Sequence, residues 1–158
     1  MNTLQLRRIL SRDKFVKESF LDVYSSDNLP VEITKHPACF VANLDSSSGP
    51  GTHWVVFYLP APGQLEFFDS YGNTPAYYVG PISNFQSKFN YMNYNPLRLQ
   101  SNSTAVCGQY CVYYLYFRCR GKTLMNILSS FVTKNICNDK LVYHFVWKHF
   151  KIRTKFYQ

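Results

Sequence analysis

Three apolar, strand-like runs crowd into the middle of the chain at residues 38–44, 53–59 and 64–69, and they constrain the fold more than any other feature. The first two are separated by Asp45-Ser46-Ser47-Ser48-Gly49-Pro50-Gly51 and the last two by Pro60-Ala61-Pro62-Gly63, both strong turn compositions. This pattern predicts an antiparallel meander. A fourth short strand is expected at 96–100, after an Asn/Tyr-rich stretch with a helix around 81–90. From Cys107 the apolar period becomes helical. Cys107, Tyr110, Cys111, Tyr114 and Leu115 share one face while Val112, Tyr113, Tyr116 and Phe117 fill the others, which predicts a buried central helix ended by Gly121. Thr123 is expected to cap a helix over 124–131, and Asn138 or Asp139 to start a last one. At the N-terminus Thr3 is read as the cap of a short helix carrying Leu6, Ile9 and Leu10, with Asn28-Leu29-Pro30 breaking the chain before any strand begins. Strands followed by helices define an α+β domain: a central mixed or antiparallel sheet packed against a buried helix, with residues 1–158 forming one domain.

Composition narrows the class. With 46% hydrophobic, 18% aromatic and only 16% charged residues, the chain is excluded from the disordered class. No apolar run reaches the roughly 18 residues needed to span a bilayer. The first residues, Met1-Asn2-Thr3-Leu4-Gln5-Leu6-Arg7-Arg8, lack the apolar core of a secretion signal, so a chain that is not secreted and keeps its five cysteines reduced is expected.

Of those cysteines Cys107 stands apart. It opens the apolar helix after the polar run Ser103-Thr104-Ala105-Val106. A thiol at a helix N-terminus meets the positive end of the macrodipole and unpaired amides, which favour thiolate. Gly108 lets another backbone approach, and the Cys107 amide can face a developing oxyanion. By residue type alone a buried structural cysteine is the commoner outcome, so partners must decide. A base is available in His53, which opens one strand beside a Gly-rich loop with Trp54 as a wall; Asp69 closes the next strand. If those strands are antiparallel neighbours, both residues fall at one sheet edge, where Asp69 can accept from His53 Nδ1. Gln100, with six residues between it and Cys107, has an amide able to donate to an oxyanion. Each residue taken singly has an ordinary alternative as a turn, cap or surface group.

The ordered set His53-Trp54, Asp69 within Phe-Phe-Asp-Ser-Tyr-Gly, and Gln100 ahead of Cys107-Gly108 resembles the adenovirus-type (adenain-like) cysteine proteases, including those of Polinton/Maverick-type elements and related DNA viruses. The resemblance spans residues 38–121 and includes Ala38-Cys39-Phe40-Val41 leading to His-Trp. It implies a papain-like catalytic arrangement in which His53 is the general base, Asp69 orients it where adenovirus enzymes carry Glu, Gln100 supports the oxyanion hole and Cys107 attacks the peptide carbonyl. Trp54 and Gly108 would line and support that site. The SUMO and ubiquitin-like deconjugating proteases share the order, but their Gln lies one residue nearer the cysteine with Asp before it; here Val106 precedes Cys107. That favours the viral maturation branch, which implies cleavage of capsid and core precursors at Gly-Gly-type sites, in the virion and host nucleus. It also implies stimulation by DNA and by a capsid-derived peptide. No cysteine lies between Cys39 and Cys107 to link such a peptide covalently, so a non-covalent one is expected. The alternatives are a modifier deconjugase and an inactive basic nucleic-acid-binding protein on the same fold.

Charge agrees with a nucleic-acid partner. The 17 Lys+Arg against 9 Asp+Glu give a net +8, clustered near both ends. Arg7, Arg8, Arg12, Lys148, Lys151 and Arg153 are the candidate DNA contacts. No metal site is expected, because Cys107 and Cys111 or His144 and His149 offer no compact four-ligand spacing. Cys111, Cys119 and Cys137 are read as core, His36 as a loop residue, and Tyr77, Tyr78, Tyr91 and Tyr94 as paving for a substrate groove. A monomer without membrane attachment completes the expectation.

Overall fold

The structure, a computed structural model, describes residues 1–157. Helix α1 (Thr3–Leu10) and strand β1 (Phe20–Tyr24) precede β2 (Ala38–Asn43), β3 (Trp54–Leu59) and β4 (Gln64–Phe68). Then follow α2 (Pro81–Gln86), β5 (Tyr91–Tyr94), α3 (Cys107–Arg118), α4 (Leu124–Leu128) and α5 (Asn135–Phe150). The sheet has five strands in the order β1-β2-β3-β4-β5. β2, β3 and β4 form the antiparallel meander, while β1 joins β2 and β5 joins β4 in parallel.

Strand alternation divides the interior into two layers. Cys39, Val41, Val56 and Tyr58 face one side and pack with α1, α3 and α5, whereas Phe40, Ala42, Val55 and Phe57 face the other with α2. Phe40, Phe57 and Phe85 form a mutual aromatic cluster on the second side, with centroids 4.7 to 5.3 Å apart. On the first side α3 is buried from Cys107 to Leu115, and Tyr114 stacks on Phe68 at 4.5 Å. A helix apolar all round has nowhere to lie except inside, as its sequence predicts. Its far end is polar but satisfied: Glu66 accepts from Tyr114 Oη (2.5 Å) and Arg118 Nε (2.6 Å), and the Arg118 guanidinium covers Tyr58.

Several expectations are corrected. A strand does form before Asn28: β1, whose Asp22 is tied to Arg7 of α1 at 2.5 Å. Residues 96–100 form no strand. Pro96 lacks an N–H for a ladder, and the amides of Leu99 and Gln100 both go to the Ser70 carbonyl, at 2.9 and 3.0 Å; the real strand is β5, a few residues earlier. Asn2, not Thr3, caps α1, in a reciprocal capping box with Gln5. The last helix begins at Asn135, and Asn138 and Asp139 are buried inside it, bonding to distant backbone and side chains rather than capping it. α4 stops at Leu128, short of residue 131. Cys111 is core as expected, but Cys119 is only partly buried and Cys137 is exposed.

Candidate active site

The site is assembled from four places along the chain. Asp45 fixes the loop before β3, accepting from the Gly51 and Thr52 amides at 2.9 and 2.8 Å. His53 thereby enters at the strand mouth, and its carbonyl accepts from Leu44 N. Asp69 follows β4 directly. The antiparallel β3–β4 register places the two at the same sheet edge, as the spacing requires. His53 Nε2 and Asp69 Oδ1 are 2.6 Å apart. The expectation that Nδ1 would face the carboxylate is therefore corrected: Nε2 is committed to Asp69, so Nδ1 is the nitrogen left for Cys107, to which the imidazole is also hydrogen-bonded.

Cys107 is the first residue of α3, where the helix amides have no intrahelical partner. The thiol, the imidazole and the carboxylate are all buried, at 8%, 7% and 0% exposure, so their mutual interactions are little screened. Burial pulls the His53 pKa down, but the hydrogen bonds and charges of Asp69 and Cys107 overcome it and push the imidazole up to about 9. Burial likewise pushes the Cys107 thiol up. Its hydrogen bond to His53, the imidazolium charge and the Trp54 amide reverse that and hold the thiol below its ordinary value. The opposed shifts favour a thiolate–imidazolium pair. Burial, together with the negative charges of Cys107 and Asp69, raises Cys111 instead.

Asp69 is held on all sides. Its carboxylate accepts from Tyr71 N (2.9 Å), Asn73 N (3.2 Å) and Tyr78 Oη (2.6 Å), while Asn95 grips its backbone through paired bonds of 2.9 and 2.7 Å. Burial works against the ionised carboxyl, but His53 and these donors keep it below its usual range. Tyr71 stacks on the His53 ring at 4.7 Å. Gln100 lines the same cleft, its Oε1 accepting from Ser70 Oγ (2.7 Å) and its Nε2 donating to the Thr104 carbonyl (2.8 Å). Those bonds fix the amide orientation and leave one N–H of Nε2 for the cleft. Between Gln100 and Cys107 the loop is anchored by the buried Asp139, which accepts from Ser101 N, Thr104 Oγ1 and Tyr110 Oη. The chain's last residues brace it too, through Ala105 N to the Phe156 carbonyl at 2.9 Å and a Thr104–Tyr157 bridge. Trp54 walls the cleft and donates Nε1–H to the Met1 carbonyl. Met1 lies so close over Gly108 that a Cβ there would sit 2.8 Å from its side chain, which is why glycine occupies that position.

Of the residues singled out in the sequence, the structure brings His53, Trp54, Gln100 and Cys107 to one cleft of about 360 Å³, with Asp69 buried behind His53 and Gly108 packed against Met1. Sequence reasoning misses Asn95, Ser70, Asp139 and the orienting role of Tyr78, none of which carries a local signal. Tyr91 and Tyr94 lie on β5, and only Tyr77 and Tyr78 come near the site. The structure places the basic candidates as follows. Arg8 and Arg12 share a groove with Lys14 and His149, Arg7 is ion-paired to Asp22, and Lys151 and Arg153 lie beside Trp147. Among the described residues no three His, Cys, Asp or Glu side chains are placed to hold a metal ion, and no helix is long and apolar enough to cross a membrane.

A five-stranded mixed sheet, a buried helix opening with a cysteine, and a histidine and aspartate at the neighbouring sheet edge make up a papain-like fold. A crystal structure of the African swine fever virus protease superposes on this fold with a TM-score of 0.62 over 97% of this chain and 68% of that one, at 20% identity. In sequence the chain is similar to viral cysteine proteases. It is 27% identical over 126 residues to the cysteine protease of a tick isolate of African swine fever virus from Malawi, covering 71% of this chain and 43% of that protein. It is 26% identical over 160 positions to the protein of a warthog isolate from Namibia, named a SUMO-1 cysteine protease, covering 88% and 55% respectively. The chain therefore spans about half the length of the curated relatives it matches. No family model matches it.

Proposed function

We propose that the chain is a cysteine endopeptidase acting on viral or mobile-element precursor proteins. The observation that carries this reading is the buried Asp69–His53–Cys107 line, with its 2.6 Å carboxylate–imidazole contact and opposed pKa shifts. In the proposed reaction the Cys107 thiolate adds to the peptide carbonyl, and the oxyanion is held by the Cys107 amide and Gln100 Nε2. The His53 imidazolium gives its Nδ1 proton to the departing amine as the C–N bond breaks, leaving a thioester. Water then attacks, His53 takes its proton, and the C–S bond breaks to restore the thiolate. Cys107→Ala and His53→Ala are each expected to abolish cleavage of a Gly-Gly-containing precursor while circular dichroism and melting stay close to wild type. Turnover retained in either variant overturns the reading.

Val106 ahead of Cys107, together with the six-residue gap from Gln100, supports the maturation branch, within which kinship with Polinton/Maverick-type enzymes is part of the proposal. Deconjugation of a SUMO-like modifier is the second reading, favoured by the names of three relatives. A Gly-Gly-ended modifier carrying a C-terminal electrophile would label Cys107 in that case. DNA and a non-covalent peptide are proposed as activators, with the groove of Arg8, Arg12, Lys14 and His149 as the DNA surface and the virion and host nucleus as the place of action. The reading as an inactive nucleic-acid binder is disfavoured, since nothing in that role requires Asp69, His53 and Cys107 to be in line.

A further inference from the structure

The cleft opens at each end into a further cavity. One, of about 460 Å³, shares Met1, Gly51 and Trp54 with it. The other, of about 490 Å³, shares Tyr71 and is bounded by Asn73, Tyr77, Arg98 and Asn102. With the reaction proposed above, these two ends acquire different roles. The acyl half of a substrate, bonded to Cys107, takes the end along Trp54 and Met1, where the cleft joins the first cavity. His53 hands its proton to the leaving amine, and the ring that does so lies against Tyr71, so the leaving half runs over Tyr71 into the second cavity.

That second cavity has one charged group. Arg98 is exposed; its Nε donates to the Gln100 carbonyl at 3.3 Å and its guanidinium lies 5.1 Å from the Tyr71 ring, contacts that bias its head toward the cavity. Among the described residues it pairs with no carboxylate, unlike Arg7, Arg118 and Arg120, and both terminal nitrogens lack a protein acceptor. The other lining groups, Asn73, Tyr77 and Asn102, are neutral hydrogen-bonding side chains. The acidic groups close by, Asp69 and Asp139, lie fully buried with their oxygens already bonded. A guanidinium biased toward a polar, otherwise neutral cavity with its terminal nitrogens free is built for a carboxylate.

We propose that this cavity is a leaving-group-side subsite for an acidic side chain, Asp or Glu, within the first three residues after the scissile bond. Arg98 is its specificity-determining residue. An extended chain advances about 3.4 Å per residue, so two or three residues suffice to pass Tyr71 and reach Arg98.

The test uses the full chain carrying Cys107→Ala and fluorescent peptides that are identical through Gly-Gly and continue with Glu, Gln or Lys in three positions. Anisotropy is expected to show the Glu peptide bound about three- to tenfold tighter than the Gln peptide, with the gap closing as salt is added. Adding Arg98→Glu is expected to reverse the order, so that Lys binds best. Equal affinities, a Glu preference that survives Arg98→Glu, or the same gain when Glu is moved to the acyl side would each overturn the subsite. Hydrolysis of the same peptides by the chain with Cys107 intact is scored separately. If none is cut while the binding order still reverses, the acid-binding cavity stands and the protease reading falls.

Discussion

The charge on Asp69 sustains both opposed pKa shifts. Removing it while keeping the shape, as in Asp69→Asn, takes away the anion that holds His53 charged. The imidazole should then fall from about 9, and the Cys107 thiol, deprived of its cationic partner, should rise toward its ordinary value. Two measurements follow from the sign. The alkaline fall in kcat/KM, expected near pH 9 in the unmodified chain because the imidazolium is the acid for the leaving amine, should move to lower pH. The pH at which iodoacetamide alkylates Cys107 should move upward, and kcat should drop at least about a hundredfold. An alkylation profile unchanged by Asp69→Asn would mean that the helix terminus alone activates the thiol.

The loops between strands hold the site as firmly as the strands do. Gly72 has φ +76°, and a Cβ there would lie 2.7 Å from the Leu97 carbonyl carbon, so the turn after Asp69 and the loop leading to Gln100 touch through a position only glycine can fill. Gly72→Ala is expected to cost about 2 kcal/mol or more, read as a fall in Tm of roughly 4–8 °C, and to displace Gln100. Differential scanning fluorimetry and kcat together check this. The same loops mark where sequence reasoning stops. The meander and α3 are legible because alternation and an all-round apolar helix each have one solution, and His53, Asp69 and Cys107 stand at the ends of those elements. β1 is not legible, since its five residues include a charged Asp22 whose partner, Arg7, lies 15 positions away. Nor are Asn95 and Asp139, which act 26 and 35 residues from the groups they hold. Contacts of that range depend on the finished topology and leave no periodic trace.

Across the whole molecule the two ends of the chain meet. The groove between α1 and the end of α5 gathers Arg8, Arg12 and Lys14 beside His149 and an Asp13 already paired with Arg120, giving part of the net +8 a local focus. If DNA binds there, Arg8→Glu with Arg12→Glu should weaken duplex binding and flatten its logarithmic salt dependence by roughly two units, which fluorescence titration at several salt concentrations would read. An unaltered slope would move the DNA surface elsewhere, to the cations beside Trp147. The sheet borders carry a separate implication, for how the protein behaves when crowded. Both outermost strands are short: β1 has five residues and its Asp22 is clamped by α1, and β5 has four and runs directly into Asn95 and Pro96. Neither border offers a long, flat, unprotected ribbon of backbone groups, so copies packed at high concentration have no template for zipping into fibrils through their sheets.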